Sequence, residues 1–181
     1  MAKASVFIAD GFEEIEALTA VDLLRRGGIA ADLVSASSGL SRTGAHGVKV
    51  LCDRVMEDCD WAGSDMLVLP GGWPGAENLR NQAELCERLE RFTAEGRWVA
   101  AICAAPYVLG ELGLLRGRRA TCYPGFEKTL AGAEPTGALV ERDGRIITGR
   151  GPGAAAEFAL ALVEALAGKK KADEVRAGLA G

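Results

Sequence analysis

The chain has 181 residues, 49% of them apolar, and a formal net charge of −4. That is enough hydrophobic mass for one packed domain and too little excess charge for disorder. The acidic balance argues against a nucleic-acid binder, whose footprint is basic, and no run of 18 apolar residues offers a membrane span.

The apolar run Val6-Phe7-Ile8-Ala9 is too short for a signal-peptide core, and Asp10 ends it, so a cytoplasmic location is expected. The five cysteines are Cys52, Cys59, Cys86, Cys103 and Cys122. Their odd number, irregular spacing and lack of a CxxC pair point neither to a disulfide framework nor to a zinc site. His46 is the sole histidine, which excludes a metal or catalytic site built from several. It reads as a surface-loop residue of the Gly-rich segment 43–47.

In chain order, residues 4–9 read as a strand and 13–26 as a helix. Ile15, Leu18 and Val21 fall at helical spacing, and Gly27-Gly28 is the stop. Asp10 and Glu13 have capping-box spacing. Residues 29–36 form a second strand, and 48–52 one arm of a small hairpin. Residues 65–69 are an apolar strand ending at Pro70-Gly71-Gly72. A helix is predicted over 82–95, a buried strand over 98–102, and a helix over 104–115 with Pro106 in its first turn. Further strands are predicted over 119–122, 138–141 and 145–148, with Asp143-Gly144 as a hairpin turn between the last two. A long helix over 152–166 ends at Gly168. The run Lys169-Lys170-Lys171 reads as a solvated helix end.

Strands alternating with helices predict an α/β sandwich with a mostly parallel sheet, and sites gather beyond the carboxyl ends of such strands. Three glycine turns and Cys103 fall there. Cys103 lies between a predicted strand and a predicted helix. Such an elbow can present a side chain above the sheet, and a helix N-terminus favours a thiolate. Ala101, Ala104 and Ala105 leave room beside it. Position alone suits a buried structural cysteine equally well. Cys86 and Cys122 read as packing residues, whereas Cys52 and Cys59 lie in or near the irregular region and are candidates for exposure.

The segment Ala100-Ala101-Ile102-Cys103-Ala104-Ala105-Pro106 resembles the nucleophile elbow of the DJ-1/ThiJ/PfpI superfamily. Asp10-Gly11-Phe12-Glu13-Glu14-Ile15-Glu16, Leu69-Pro70-Gly71-Gly72 and Gly149-Arg150-Gly151-Pro152-Gly153 are similar to three further motifs of that superfamily, in the same order. The resemblance spans nearly the whole chain, as a single domain over 1–181, and is strongest to the YajL-like and parkinsonism-associated deglycase branch. It implies a flavodoxin-like three-layer sandwich with Cys103 as nucleophile and Glu16 as its acidic partner. From the residues alone, Glu16 reads instead as a solvated first-turn acid that complements the helix dipole. The resemblance further implies that Gly72 and Ala104 give backbone N–H groups to an oxyanion, with Gly71 and Tyr123 at the substrate. Arg150 is placed near both a dimer contact and the site.

Two departures stand out. Ala104 follows the cysteine where protease-like and amidotransferase-like branches have histidine. Tyr123 stands where glyoxalase-active relatives carry histidine, and tyrosine, with a reference pKa near ~10, is a poor base at neutral pH. Peptidase activity is therefore not expected, and glyoxalase-type turnover is expected to be weak. Gly149–Gly153 lacks dinucleotide-loop spacing, so no cofactor and no metal is expected. The implied substrates are small reactive aldehydes or glycated adducts, with a homodimer as the assembly. The competing reading is a redox-sensing stress chaperone that oxidises Cys103.

Overall fold

The computed structural model describes residues 1–180. Strand β1 (Lys3–Ile8) leads to helix α1 (Glu14–Arg26) and strand β2 (Ala30–Ser35). A hairpin of β3 (Ser41–Thr43) and β4 (Lys49–Leu51) follows, then the short strand β5 (Arg54–Val55). Strand β6 (Met66–Leu69) precedes helices α2 (Gly75–Arg80) and α3 (Ala83–Ala94). Strand β7 (Trp98–Ile102) feeds helix α4 (Pro106–Glu111). The short strands β8 (Arg119–Ala120) and β9 (Glu134–Pro135) pair with each other. Strands β10 (Val140–Asp143) and β11 (Ile146–Gly149) form the expected hairpin, and helices α5 (Ala155–Ala167) and α6 (Lys169–Gly178) complete the chain.

The main sheet runs β10-β11-β7-β6-β1-β2-β5, and every pairing except β10–β11 is parallel. Its two faces follow from strand periodicity. Val6 and Ile8 of β1, with Val68 of β6 and Ala100 and Ile102 of β7, pack against Leu24 of α1 and Phe158 and Leu162 of α5. The alternate residues Phe7, Leu67, Leu69 and Val99 pack against Leu89 and Phe92 of α3 and Val108 and Leu109 of α4. This is the three-layer, flavodoxin-like sandwich expected from the sequence.

Several local expectations are corrected. Glu13 itself caps α1, accepting from the Ile15 N–H, while Asp10 accepts from the Thr43 N–H at 2.8 Å. There is thus no capping box; Asp10 is committed to the β3–β4 hairpin. Helix α4 covers only half of 104–115, because Gly113 adopts φ 70° just past its cap at Leu112. Gly168 does end α5, but the lysine run opens α6 instead of trailing a helix, and Lys169 bonds Asp173 at 2.8 Å within it. Cys52 is buried in the core and Cys59 is half-buried against Ser5, so neither is freely exposed.

The strand order reverses at β1, with β2 on one side and β6 on the other. Carboxyl ends on either side of such a reversal border a crevice, and here the loops that follow β1 and β6 interlock in it. Glu13 N–H donates to the Gly71 carbonyl at 2.9 Å, and Gly75 N–H to the Gly11 carbonyl at 3.2 Å. Gly72 adopts φ 86°, and a Cβ there would lie 2.4 Å from both the Glu13 nitrogen and the Gly11 oxygen. Gly72→Ala therefore combines left-handed strain with a backbone collision, and a loss of at least about 3 kcal/mol is expected. Gly96→Ala, at φ 67° in open space, is the control, with a loss of about 1 kcal/mol. Urea unfolding of both variants measures the difference, and equal losses would mean that the two loops are not locked together.

Candidate active site

Cys103 directly follows β7 and has φ 65°, the left-handed region that non-glycine residues adopt rarely. Its own backbone holds it there. The Cys103 N–H donates to the Gly149 carbonyl at 2.9 Å, and the Cys103 carbonyl accepts from the Tyr123 N–H at 2.8 Å. A non-glycine outlier fixed on both sides is backbone strain maintained by its surroundings, as at the elbows that present nucleophiles. Gly71 backs the elbow closely, since a Cβ on it would meet the Cys103 Cβ at 2.6 Å.

The Cys103 sulfur faces the backbone N–H groups of Gly72 and Ala104 and the carboxyl of Glu16. Glu16 comes from the first turn of α1 and is 1% exposed. Its Oε2 accepts from the Gly71 N–H at 2.8 Å, and its Oε1 has no hydrogen-bond partner. The thiol is the group left to engage that carboxyl. Gly71 thus positions Glu16 and does not offer its N–H to a substrate oxygen, which corrects its expected place at the substrate. Helix α4 starts three residues after Cys103, so the donors nearest the sulfur are loop N–H groups and not a helix end.

Burial pushes Glu16 up to about 7, against partial relief from the Gly71 N–H. Burial first, then the Glu16 carboxylate, pushes Cys103 up to about 12, with the Gly72 and Ala104 N–H groups acting in the opposite sense. The expectation of a simply depressed thiol pKa is therefore replaced by a coupled pair. It gives up one proton near 7 and holds the other far into the alkaline range. Burial also raises Cys52 and Cys122, each to about 11.

Cys103 opens into a hollow of about 450 Å³ whose walls are mostly apolar, with Trp73, Phe126 and Ile15 among them. The Trp73 ring lies 5.8 Å from Phe126 and 5.9 Å from Tyr107, an aromatic wall that no sequence motif announced. A larger hollow of about 530 Å³ lies at the other end of the sheet, around Met1, Arg97 and Trp98, and contains no nucleophile. Ala104 and Tyr123 line the Cys103 hollow. Arg150 does not; it is exposed on a neighbouring rim beside Leu139.

His46, read from the sequence as a loop residue remote from the elbow, lines the same hollow. Its Nδ1 lies 2.9 Å from Glu14 Oε2 and 3.7 Å from Glu13 Oε2. Glu14 is already engaged, because its Oε1 also accepts from the His46 and Val48 N–H groups. These three residues could present oxygens and a nitrogen to a cation, but the bonds from the 46–48 segment make them first a device for fixing an imidazole. Only the long-range fold brings residue 46 beside residue 14; no spacing in the sequence signals it.

A strained cysteine on a strand-to-helix elbow, backed by a buried acid and two N–H donors in an α/β sandwich, defines the class of cysteine-elbow α/β proteins. The comparisons with known proteins agree. The model of the DJ-1/PfpI family matches residues 2–165. Protein DJ-1 homolog B of Arabidopsis thaliana is 42% identical over 175 residues, 96% of this chain but 40% of that protein. The chain thus spans about two fifths of that relative's length. A Pyrococcus abyssi protein named a deglycase is 35% identical, covering 82% of this chain and 89% of its own. The solved structure of oxidized Toxoplasma gondii DJ-1 superposes with a TM-score of 0.95 at 36% identity, covering 99% of this chain and 98% of that one. The chain belongs to the DJ-1/PfpI family.

The raised Glu16 value fixes the sign of a pH effect. The folded pair keeps a proton that the unfolded carboxyl releases at its ordinary value near 4.5, so the associated stability is present below 4.5 and lost as pH rises through about 7. Glu16→Gln removes this loss. Its stability relative to wild type should rise by up to about 3 kcal/mol between those limits, read by urea unfolding across pH. A difference independent of pH would show that Glu16 ionises normally in the folded chain.

Proposed function

We propose that the protein processes reactive carbonyls through Cys103, as a deglycase or a glutathione-independent glyoxalase-type enzyme. The observation that carries this reading is the Cys103 sulfur, set between the Gly72 and Ala104 N–H groups and the Glu16 carboxyl at the floor of an open, mostly apolar hollow. That hollow suits a small aldehyde or a short glycated adduct. The relative named a deglycase supports the reaction class.

With methylglyoxal as substrate, the Cys103 thiolate adds to the aldehyde carbon. A C–S bond forms, and the carbonyl electron pair moves onto oxygen. The N–H groups that face the sulfur at rest stabilise the resulting alkoxide. That oxygen takes a proton, for which the Glu16–Cys103 pair is the adjacent source. The carbon bearing sulfur then loses its proton and the neighbouring carbonyl carbon gains one, while the proton on the first oxygen passes to the second, so that the new carbonyl forms on the carbon bearing sulfur. The product is a hydroxyacyl thioester, with no external oxidant or reductant. Water adds to the thioester, the C–S bond breaks, and lactate and the free thiol are released. An early glycation adduct, a hemiaminal, joins the same path by breaking its C–N bond: the hydroxyl proton passes to nitrogen, the amine is released, and the aldehyde carbon so restored takes the thiolate.

In this reading Tyr123 gives a hydrogen bond to the second substrate oxygen, and the working assembly is a homodimer whose second copy approaches the rim at Arg150. A redox role for the same thiol is the second reading. It is favoured by the oxidized state of the Toxoplasma gondii relative and by three hydrogen-bonding groups around the sulfur, which suit a sulfinate. The first reading is tested by lactate formation from methylglyoxal without glutathione. Wild type should turn over, and Cys103→Ala should fall to background. Equal rates in the two proteins would refute a mechanism through Cys103.

A further inference from the structure

A carbonyl rearrangement of this kind needs a group that moves a proton between adjacent carbons, and the hollow offers few candidates. Glu16 reaches the sulfur from behind, but it does not line the hollow, and its Oε2 is held by Gly71. Besides Cys103, the acid–base side chains that line it are Glu13, Tyr123 and His46. Glu13 is the cap of α1, and its Oε1 faces the Ile15 N–H. A phenol is a poor base at neutral pH. Imidazole is the side chain suited to take and return a proton there.

The geometry points to His46 as the proton-transfer residue of the Cys103 hollow, held in one orientation by Glu14. This inference rests on the carbonyl-processing reading above and names its acid–base group. With Nδ1 bonded to Glu14 Oε2 at 2.9 Å, the neutral ring carries its proton on Nδ1 and leaves Nε2 as the base. A base held by a third group follows the logic of catalytic triads, built here from α1 and the β3–β4 hairpin.

The hairpin tip is braced for the purpose. Gly11 N–H donates to the Thr43 carbonyl and Ala45 N–H to the Phe12 carbonyl, both at 2.8 Å. The His46 N–H donates to Glu14 Oε1 at 2.8 Å. At the hairpin base, the buried Arg42 guanidinium bonds Ser35 Oγ and the carbonyls of Ser38, Gly39 and Ser41. Gly44 passes so close to Glu14 that a Cβ would meet its carboxylate at 2.2 Å. The ring itself is 71% exposed and therefore open to substrate and to proton exchange. The groups that face it are Glu14 and Glu13 from α1, with Cys103 and Tyr123 across the hollow. The Glu14 bond and the two carboxylate charges raise its pKa above the usual imidazole value.

His46 would take the proton from the carbon bearing sulfur and return it to the neighbouring carbon, leaving the ring unchanged after each turnover. It thereby supplies, from a different element, the imidazole that is missing at Ala104 and Tyr123.

The test is lactate formation from methylglyoxal by wild type, His46→Asn and Glu14→Gln. Asparagine keeps a donor where Nδ1 stands, so the Glu14 bond survives without a titrating ring. His46→Asn should lower kcat by about 10²-fold or more, change KM by less than about threefold, and regain much of kcat in added imidazole. Glu14→Gln still accepts the backbone N–H groups and tests the same point if His46→Asn fails to fold. It should shift the acid limb of kcat to lower pH, because the carboxylate that raises the ring's pKa is gone. Wild-type turnover with His46→Asn equally active would overturn the inference and leave the carbonyl reading standing. A deficit that imidazole cannot restore, with the acid limb unmoved in Glu14→Gln, would reduce His46 to a structural role. No lactate from wild type would overturn the reading and the inference together.

Discussion

Two acids share one water-poor corner of this fold, and they cannot both be charged there at neutral pH. Burial opposes ionisation of Glu16 and of Cys103, and each anion opposes the other. The structure resolves the conflict with a single negative charge, faced by the N–H groups of Gly71, Gly72 and Ala104. When the charge sits on sulfur, the carboxylic acid donates toward it and two loop N–H groups complete its shell. When it sits on carbon–oxygen, the Gly71 N–H holds it. The distribution of that charge decides whether the protein has a nucleophile.

Every neighbouring feature serves this corner. Gly71 and Gly72 have no side chains because the elbow and the first loop occupy the space a Cβ would need. The strain at Cys103 is sustained by bonds from β11 and from the segment after β8, so two separate parts of the chain hold its backbone. The β3–β4 hairpin adds a histidine across the opening, fixed by a carboxylate two residues before Glu16. The hollow thus has the Cys103 thiol at its floor, aromatic walls, and an imidazole at its mouth.

Much of this was legible in the sequence, for definite reasons. Period-two strands and helical apolar faces placed β1, β6, β7 and the helices around them. Glycine turns at carboxyl strand ends located the crevice. The elbow motif singled out Cys103 and Glu16 from the other cysteines and carboxylates. What was not legible depends on long-range packing. The spacing of Asp10 and Glu13 fits a capping box, yet Asp10 bonds the hairpin because β3–β4 folds back over the first loop. The same fold-back brings His46 beside Glu14, across a separation no periodicity marks. Trp73 and Phe126 meet for a similar reason. Gly71 was read as a substrate contact because the motif makes it conspicuous; its N–H is taken by Glu16. Cys52 lay in a Gly-rich stretch that suggested exposure, but the hairpin carries it into the core.

The most direct measurement is a pH titration of ultraviolet thiolate absorbance in wild type and Cys103→Ser. Burial raises the other four thiols, Cys52 and Cys122 to about 11, and so keeps them silent near neutrality. If the single charge of the pair rests on sulfur, wild type gains a thiolate signal with a midpoint near the first proton loss at about 7, and Cys103→Ser lacks it. If the charge rests on Glu16, no Cys103-dependent signal appears until strongly alkaline pH, toward about 12, and the account of an acid-held thiolate nucleophile is contradicted.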